Sequence, residues 1–311
     1  RQPGRIYPIS FCDAFSEMLV ILFAILAGYG AHHLGYLGGE VDQKICKVIL
    51  NITMPAMIVA AVITGDTLPD LAEVLSILKV AVVFYALEFA MVLVVPRFLG
   101  GTPKQLGVWR YVLSFPNVGF IGYPVAVALF GQEALFYAVV LALPFNLLSY
   151  TLGPLMLAGV GKFSWKKSVS PCAAAAVISL VLALTRVRVP SMIGECLDFV
   201  GDITVPLSLL VVGSLLAGLP AKQVFSSPRL WILSALRLLA LPVILCFILR
   251  AVGVDAMILG VAVTQMAMPV AVNGTMLSME YGGDTGSMAQ ITFLSTLLSI
   301  VTIPLIAAFL L

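Results

Sequence analysis

Long apolar stretches run along almost the whole chain, separated by short breaks that contain glycine, proline or charged residues. A membrane-spanning helix needs about 20 mostly apolar residues. The pattern therefore predicts an all-α polytopic membrane protein with ten transmembrane helices. The ten predicted spans are residues 13–37, 43–64, 73–99, 104–131, 133–161, 170–187, 191–218, 228–252, 255–281 and 285–311.

Basic residues in alternate loops predict the orientation, because cytoplasmic loops carry the excess of Lys and Arg. One side holds ten of them: Lys44, Lys47, Arg97, Lys104, Arg110, Lys162, Lys166, Lys167, Lys222 and Arg229. The other side holds five: Arg1, Arg5, Arg186, Arg188 and Arg250. With an even number of spans, we expect both termini outside the cytoplasm in a multi-pass protein of the cell membrane. The polar residues 1–10 show no signal-peptide pattern.

The two halves of the chain resemble each other. "NITMP" at Asn51 to Pro55 matches "DITVP" at Asp202 to Pro206, and "FGQE" at 130–133 resembles "YGGD" at 281–284. The offset is the same, since 202 − 51 and 281 − 130 both equal 151, which favours duplication over chance. Five spans is an odd number, so the second half would cross the membrane in the opposite sense. The predicted units are a first repeat, 1–161, a basic cytoplasmic linker, 162–169, and a second, inverted repeat, 170–311.

Spans four and nine are predicted to be broken in the middle. "SFPNVGFIGYP" begins at Ser114, and the same offset aligns it with "QMAMPVAVNGT", which begins at Gln265. Proline removes an amide donor and clashes with the carbonyl one turn back, and glycine lets the backbone leave helical geometry. The freed peptide groups cannot face lipid. Two crossing broken helices would therefore offer an anion site at their half-helix N-termini and a cation site at the C-terminal ends. Two proline kinks that only shape the packing are the alternative.

Candidate site residues follow from these breaks and from the few charges inside the spans. Glu88 and Arg237 lie at depths in the membrane that differ by about 5 Å, so they can form an ion pair. Either Glu88 carries a proton, or the pair is static and holds the helices together. Asn146 is predicted either to bind a cation or to form a hydrogen bond to a neighbouring helix. Asp202 is a candidate for ion coupling, although a role in packing or helix capping is favoured. The predicted substrate-binding residues are Pro116, Asn117, Gly119, Pro124, Gln265, Pro269 and Asn273. The ion-coupling candidates are Glu88, Ser114, Asn146, Asp202 and Arg237, with a proton or a sodium ion near the crossing as the coupling ion.

Composition limits the other classes of function. Hydrophobic residues make up 61% of the chain, charged residues 10%, and the mean hydropathy is +1.11, which excludes a water-soluble domain. The five cysteines stand singly and suggest neither a zinc site nor a disulfide framework. A net charge of +2 without a basic stripe gives no support for nucleic-acid binding. The sequence has no HExxH, GxSxG or GxGD motif, so we expect no enzyme and no cofactor. A passive anion channel and a ligand-sensing receptor stay open.

The motifs around the two breaks resemble those of the auxin efflux carrier family, which includes plant auxin exporters and bacterial malate or malonate permeases. The resemblance lies in "NVGFIGYP" at Asn117 to Pro124, in "MPVAVN" followed by "YGGD" between 268 and 284, and more weakly in "GDITVP" at 201–206. It implies a fold of two inverted five-helix repeats, shared with bile-acid/sodium symporters. The family's crossing residues correspond to Asn117, Pro124, Pro269 and Asn273.

The resemblance also implies an elevator-type mechanism, in which a transport domain of spans 3–5 and 8–10 slides past a scaffold of spans 1, 2, 6 and 7. The short joint between the halves is similar to that of the bacterial permeases and lacks the long loop of plant carriers. We therefore expect a proton- or sodium-coupled secondary active transporter of small organic anions, such as malate, malonate or auxin-like acids. The expected partners are this substrate, the lipid bilayer and a second copy in a homodimer.

Overall fold

A computed structural model describes residues 11–63, 71–158, 171–185, 187, 189–218, 225 and 227–311. In this part of the chain every regular element is helical, apart from one isolated β-bridge. The predicted linker, 162–169, lies outside the described residues.

Sixteen α-helices and three π-helical turns follow one another in the described residues. The first repeat predicted from the sequence holds α1 (Phe11–His33), α2 (Gly39–Val48), π1 (Ile49–Thr53), α3 (Met54–Ile63), α4 (Leu71–Leu99), α5 (Pro103–Ser114), π2 (Val118–Gly122), α6 (Tyr123–Phe130), α7 (Glu133–Leu141) and α8 (Leu143–Ala158). The second holds α9 (Pro171–Thr185), α10 (Ser191–Gly201), α11 (Thr204–Ala217), α12 (Pro228–Ala235), π3 (Leu236–Ala240), α13 (Leu241–Val252), α14 (Ala256–Met266), α15 (Asn273–Tyr281) and α16 (Thr285–Leu310).

A helix or an interrupted helix lies in each of the ten predicted spans. Within the described residues, five helical stretches are long and apolar enough to cross a membrane: Gly39–Ala60, Ala72–Leu99, Ser191–Ala217, Pro228–Val252 and Thr285–Leu310. Val118–Phe130, Glu133–Phe145 and Ala256–Met266 form shorter apolar helices. The all-helical, multi-pass membrane class is thus confirmed, whereas the ten-span inverted arrangement and the orientation of the termini stay predictions.

Each π-helical turn ends two residues before a proline. Thr53 precedes Pro55, Gly122 precedes Pro124, and Ala240 precedes Pro242 in this way. A proline inside a helix has no amide to donate and crowds the carbonyl one turn back. The extra residue of a π turn is one way for a helix to continue past this point. The prolines of these apolar segments therefore alter the helix locally without ending it.

Small residues allow α1 and α11 to approach each other closely. A side-chain carbon at Gly28 would collide with the carbonyl of Leu210, and one at Gly213 with the carbonyl of Ile25. Helices in membranes often associate through such small residues, because backbone contact maximises the packing between them. Helices α9 and α3 are also joined closely, because Ser179 of α9 donates a hydrogen bond of 3.0 Å to the carbonyl of Ile58 in α3.

Helices α1–α3 and α9–α11 form a first packed group, and the remaining helices form a second packed group around α14. This helix contacts α4, α6, α7 and α13, and all but its first two residues are buried. Large buried aromatic side chains, among them Phe84, Trp109 and Phe115, fill the space between the helices of this group. The interior of this group contains the crossing described below.

We expect Gly28→Ala to destabilise the protein, because the new methyl group would meet the backbone of α11. Overpacking of this kind costs about 1–3 kcal/mol. Gly30→Ala on the same helix is the matched control, since nothing lies within 4 Å of the added carbon there. Thermal unfolding in detergent would measure both variants; an equal melting temperature for Gly28→Ala and Gly30→Ala would contradict the close contact.

Candidate functional site

Two interrupted helices cross and are joined by their backbones. Helix α5 ends at Ser114 and π2 begins at Val118, while α14 ends at Met266 and α15 begins at Asn273. The connecting peptides form an antiparallel bridge between Pro116 and Val270. The structure therefore brings together the two breaks that the sequence placed at corresponding positions.

The peptide groups of the two breaks satisfy one another. The Asn117 amide donates to the Pro269 carbonyl at 2.7 Å, and the Ala271 amide donates to the Phe115 carbonyl at 3.1 Å. Pro116 and Pro269 have no amide to satisfy, which suits them to a buried, non-helical segment. This mutual pairing is what allows non-helical backbone to exist inside an apolar protein.

Ser295 of α16 supports the second break. Its Oγ accepts a hydrogen bond of 3.2 Å from the amide of Val270. The sequence analysis missed this residue, and the repeat could not have revealed it, because the corresponding position in the first half is Pro144.

Arg237 and Glu88 form the ion pair that their similar depths suggested. Nη1 of Arg237 lies 2.7 Å from Oε1 of Glu88, and both side chains are completely buried. Arg237 lies in π3 and Glu88 in α4, so the pair joins one helix from each half of the chain.

The same guanidinium also binds the C-terminal ends of both interrupted helices. Nη1 donates to the carbonyl of Leu113 at 3.1 Å, near the end of α5. Nη2 donates to Met266 at 3.1 Å, and Nε donates to Met268 at 3.4 Å, at and beyond the end of α14. Helix C-terminal ends carry partial negative charge, and the planar fork of donors in arginine suits several acceptors at once. Arg237 therefore neutralises Glu88 and two helix ends together.

Unpartnered polar atoms lie at the N-terminal start of π2. The side-chain Oδ1 of Asn117 accepts a hydrogen bond of 3.2 Å from the backbone amide of Phe120, but its side-chain nitrogen, Nδ2, is buried without a hydrogen-bond partner. Both carboxamide atoms of the buried Gln265 are also unpartnered, and this group lies against Gly122, where a side-chain carbon would collide with it. Buried polar groups normally have partners, so these atoms are the strongest indication of a ligand.

Asn273 begins α15 and is held by α5. Its Oδ1 accepts a hydrogen bond of 3.0 Å from the hydroxyl of Tyr111. The ring of Tyr111 packs against Gly274 and Gly153, where an added carbon would be 2.5 Å and 3.0 Å from it. Asn273 is only half-buried, so the second asparagine is fixed in place while remaining partly accessible.

The start of π2 also contacts the helices of the first group. Pro124 has no amide for the carbonyl of Phe120 one turn back. The hydroxyl of Ser208 in α11 lies 3.3 Å from that carbonyl and shares its proton with the carbonyl of Val205 at 2.9 Å. An added carbon at Gly119 would lie 3.7 Å from the side chain of Met54. The candidate site therefore lies where the crossing meets π1, α3 and α11.

The other predicted residues are placed as follows. Ser114 is buried, with its hydroxyl 4.0 Å from the sulfur of Met156. Asp202 is exposed at the junction of α10 and α11, where no side chain caps the start of α11. Asn146 lies in α8, but its side chain is outside the described part of the structure. Within the described residues, no group of three or more His, Cys, Asp or Glu side chains could hold a metal ion.

Interrupted helices that cross in the interior of a multi-pass helical membrane protein are a feature of many transporters. The sequence agrees: it matches the family described as "Membrane transport protein" over residues 13–162 and 154–307. The chain belongs to this family, that of the auxin efflux carriers, as its motifs suggested.

Named relatives cover nearly the whole chain. An "Uncharacterized transporter" of Methanothermobacter thermautotrophicus is 25% identical over 299 residues, which cover 95% of this chain and 98% of the relative. A second, from Methanocaldococcus jannaschii, is 25% identical and covers 93% of this chain and 96% of the relative. A protein of Rhizobium meliloti named "Putative malonate transporter" is 23% identical, with 92% of this chain and 94% of the relative covered.

Replacing Arg237 by Met should strongly destabilise the fold, because it leaves Glu88 and three carbonyl groups without their buried partner. Removing one member of a buried ion pair costs about 3–5 kcal/mol. The double variant Glu88→Leu/Arg237→Met should regain part of this loss, since no buried charge is left alone.

Thermal unfolding of the single and double variants in detergent would measure these effects. Arg229→Met is the control, because Arg229 is exposed in the first turn of α12 and should change stability by less than about 0.5 kcal/mol. A melting temperature for Arg237→Met equal to that of the control would contradict the structural role of the guanidinium.

Proposed function

We propose that this protein is a secondary active carrier of small organic anions, and that mono- or dicarboxylates such as malonate and malate, or auxin-like acids, are its substrates. The proposal rests on one observation. The side-chain amide groups of Asn117 and Gln265 have unpartnered atoms and lie beside the N-terminus of a half-helix. Membership of a membrane transport family and the name of the Rhizobium relative support it. The proposed activity is transport and involves no catalysis.

The substrate carboxylate would bind at the start of π2. The N-terminal end of a helix carries about half a positive charge and favours anions. The amide nitrogens of Asn117 and Gln265 would donate to the carboxylate oxygens, and Asn273, at the start of α15, would bind from the second half. Gly119, Pro116, Pro124 and Pro269 would shape the backbone that presents these donors.

Coupling to a proton fits this geometry better than coupling to sodium. The carbonyl groups at the ends of two half-helices attract a cation, and the guanidinium of Arg237 already occupies that place. Glu88 is the acidic side chain beside it, and its Oε2 has no hydrogen-bond partner. We therefore assign Glu88 as the proton carrier and Arg237 as the partner that favours release of the proton. The alternative is a static ion pair, and the experiment below distinguishes the two.

Transport would follow an elevator-type alternating-access mechanism between two inverted repeats. Gly28 and Ser179 support the repeat, because they are 151 residues apart (179 − 28) and each lies at a close contact between helices of the first group. The scaffold would comprise α1–α3 and α9–α11, and the transport domain α4–α8 and α12–α16. Contacts such as that from Ser208 to Phe120 would break as the transport domain slides. The family resemblance also leads us to propose that the protein forms a homodimer.

We expect Asn117→Ala and Asn273→Ala each to weaken malonate binding by roughly 10- to 100-fold, because a hydrogen bond to a charged group contributes about 1.5–3 kcal/mol. Binding by calorimetry and uptake into proteoliposomes would measure the loss. Asn51→Ala is the control, since Asn51 is exposed and its side chain donates to the carbonyl of Lys47 one turn earlier, away from the crossing.

Normal uptake by both crossing variants would contradict the site. The same assay distinguishes the remaining classes of function: a carrier saturates and exchanges its substrate against substrate on the other side. A passive anion channel would show no such exchange, and a ligand-sensing receptor would bind without uptake.

Glu88→Gln should remove the pH dependence of uptake. If protons drive import, wild-type uptake rises as the outside is acidified at constant inside pH, whereas the Gln variant, which cannot carry the proton, stays flat. Replacing sodium by choline in the buffer should not change uptake by the wild-type protein or by Glu88→Gln. An unchanged pH profile in Glu88→Gln would leave the ion pair with a purely structural role, and a need for sodium would overturn proton coupling.

A further inference from the structure

A groove outside the crossing combines apolar walls with two arginines. It lies between the end of α4 and the first turns of α5 and has a volume of about 330 Å³. Its lining residues are Val92, Leu93, Pro96, Arg97, Leu106 and Arg110. The groove is separate from the proposed substrate site, because none of these residues takes part in the crossing.

Both arginines are exposed, and no acidic side chain in the described part of the chain pairs with either. Helix α4 has 29 residues and is therefore about 43 Å long, longer than the roughly 30 Å hydrocarbon core of a bilayer. Arg97, in its last turn, would thus lie near the headgroups. Arg110 lies seven residues after the start of α5, which is about 10 Å along that helix. A charged side chain near the apolar part of a membrane is costly and is usually paired, so an anion beside these two guanidinium groups would be favourable.

We propose that this groove binds an anionic phospholipid. Its phosphate would accept hydrogen bonds from Arg97 and Arg110, because guanidinium groups bind phosphate with paired, charge-assisted hydrogen bonds. The acyl chains would lie along the apolar walls and the exposed Leu93 and Phe98, of which 63% and 85% are accessible. An amphiphile contacts both parts of the groove, whereas a free phosphate would contact only the two arginines.

The predicted orientation agrees with this ligand. Arg97 and Arg110 belong to the set of basic residues expected on the cytoplasmic side, where anionic lipids attract basic residues close to the membrane. The site should therefore distinguish an anionic headgroup from a zwitterionic one with the same chains.

Native mass spectrometry and thermal unfolding of the full chain in detergent would test the proposal with two lipids of identical chains, phosphatidylglycerol and phosphatidylcholine. Phosphatidylglycerol should bind more tightly and raise the melting temperature more. The variant Arg97→Gln/Arg110→Gln should weaken its binding by more than about tenfold, because it removes the charge-assisted hydrogen bonds to the phosphate, and should remove its advantage over phosphatidylcholine.

The double variant Lys47→Gln/Arg229→Gln is the matched control, because it removes two exposed positive charges of the same predicted side away from the groove. Equal binding of the two lipids by the wild-type protein would overturn the proposal, and so would an equal loss in the control. An equal stabilisation by inorganic phosphate would show a site for free phosphate instead. If the double variant does not fold, each single variant should still bind phosphatidylglycerol about tenfold more weakly.

Discussion

The guanidinium of Arg237 holds together parts of the molecule that would otherwise repel one another or remain unsatisfied. Two helices end in the apolar interior with their carbonyl groups directed to the same place, and the carboxylate of Glu88 lies beside them. Burying three sources of negative charge without a cation would be prohibitively unfavourable. One buried arginine meets all three, and the crossing of the two interrupted helices depends on it.

This neutralisation makes the crossing electrically asymmetric. The C-terminal ends of α5 and α14 are paired with a cation that belongs to the protein, whereas the start of π2 keeps unpartnered amide donors from Asn117 and Gln265. Such an arrangement attracts a negatively charged solute to one part of the crossing only. Within the crossing, the guanidinium of Arg237 offers no second anion site, because it is already bound to Glu88.

The prolines link this electrostatic arrangement to the rest of the structure. Pro116 and Pro269 lie in the two extended segments, where the lack of an amide does no harm. Pro124 lies in a helix, where it leaves the Phe120 carbonyl available to Ser208 of α11. The same chemical property therefore produces a break in one place and a contact between helix groups in another. Close glycine contacts, as at Gly28, keep α1 and α11 together on the other side of that contact.

The sequence by itself determined the membrane class, the helical segments and the positions of both breaks, because apolar length, proline and glycine act locally. It also identified Glu88 and Arg237, since a charge inside an apolar span stands out. It did not identify Ser295, Ser208 or Tyr111 as supports of the crossing, because serine and tyrosine are common in membrane helices and become specific only through their neighbours. Only the tertiary structure decided that the two breaks touch and that one guanidinium serves both. The contacts between the two halves, such as Asn117 to Pro269 and Arg237 to Leu113, join residues more than 100 positions apart, and no local pattern encodes a distance across the fold.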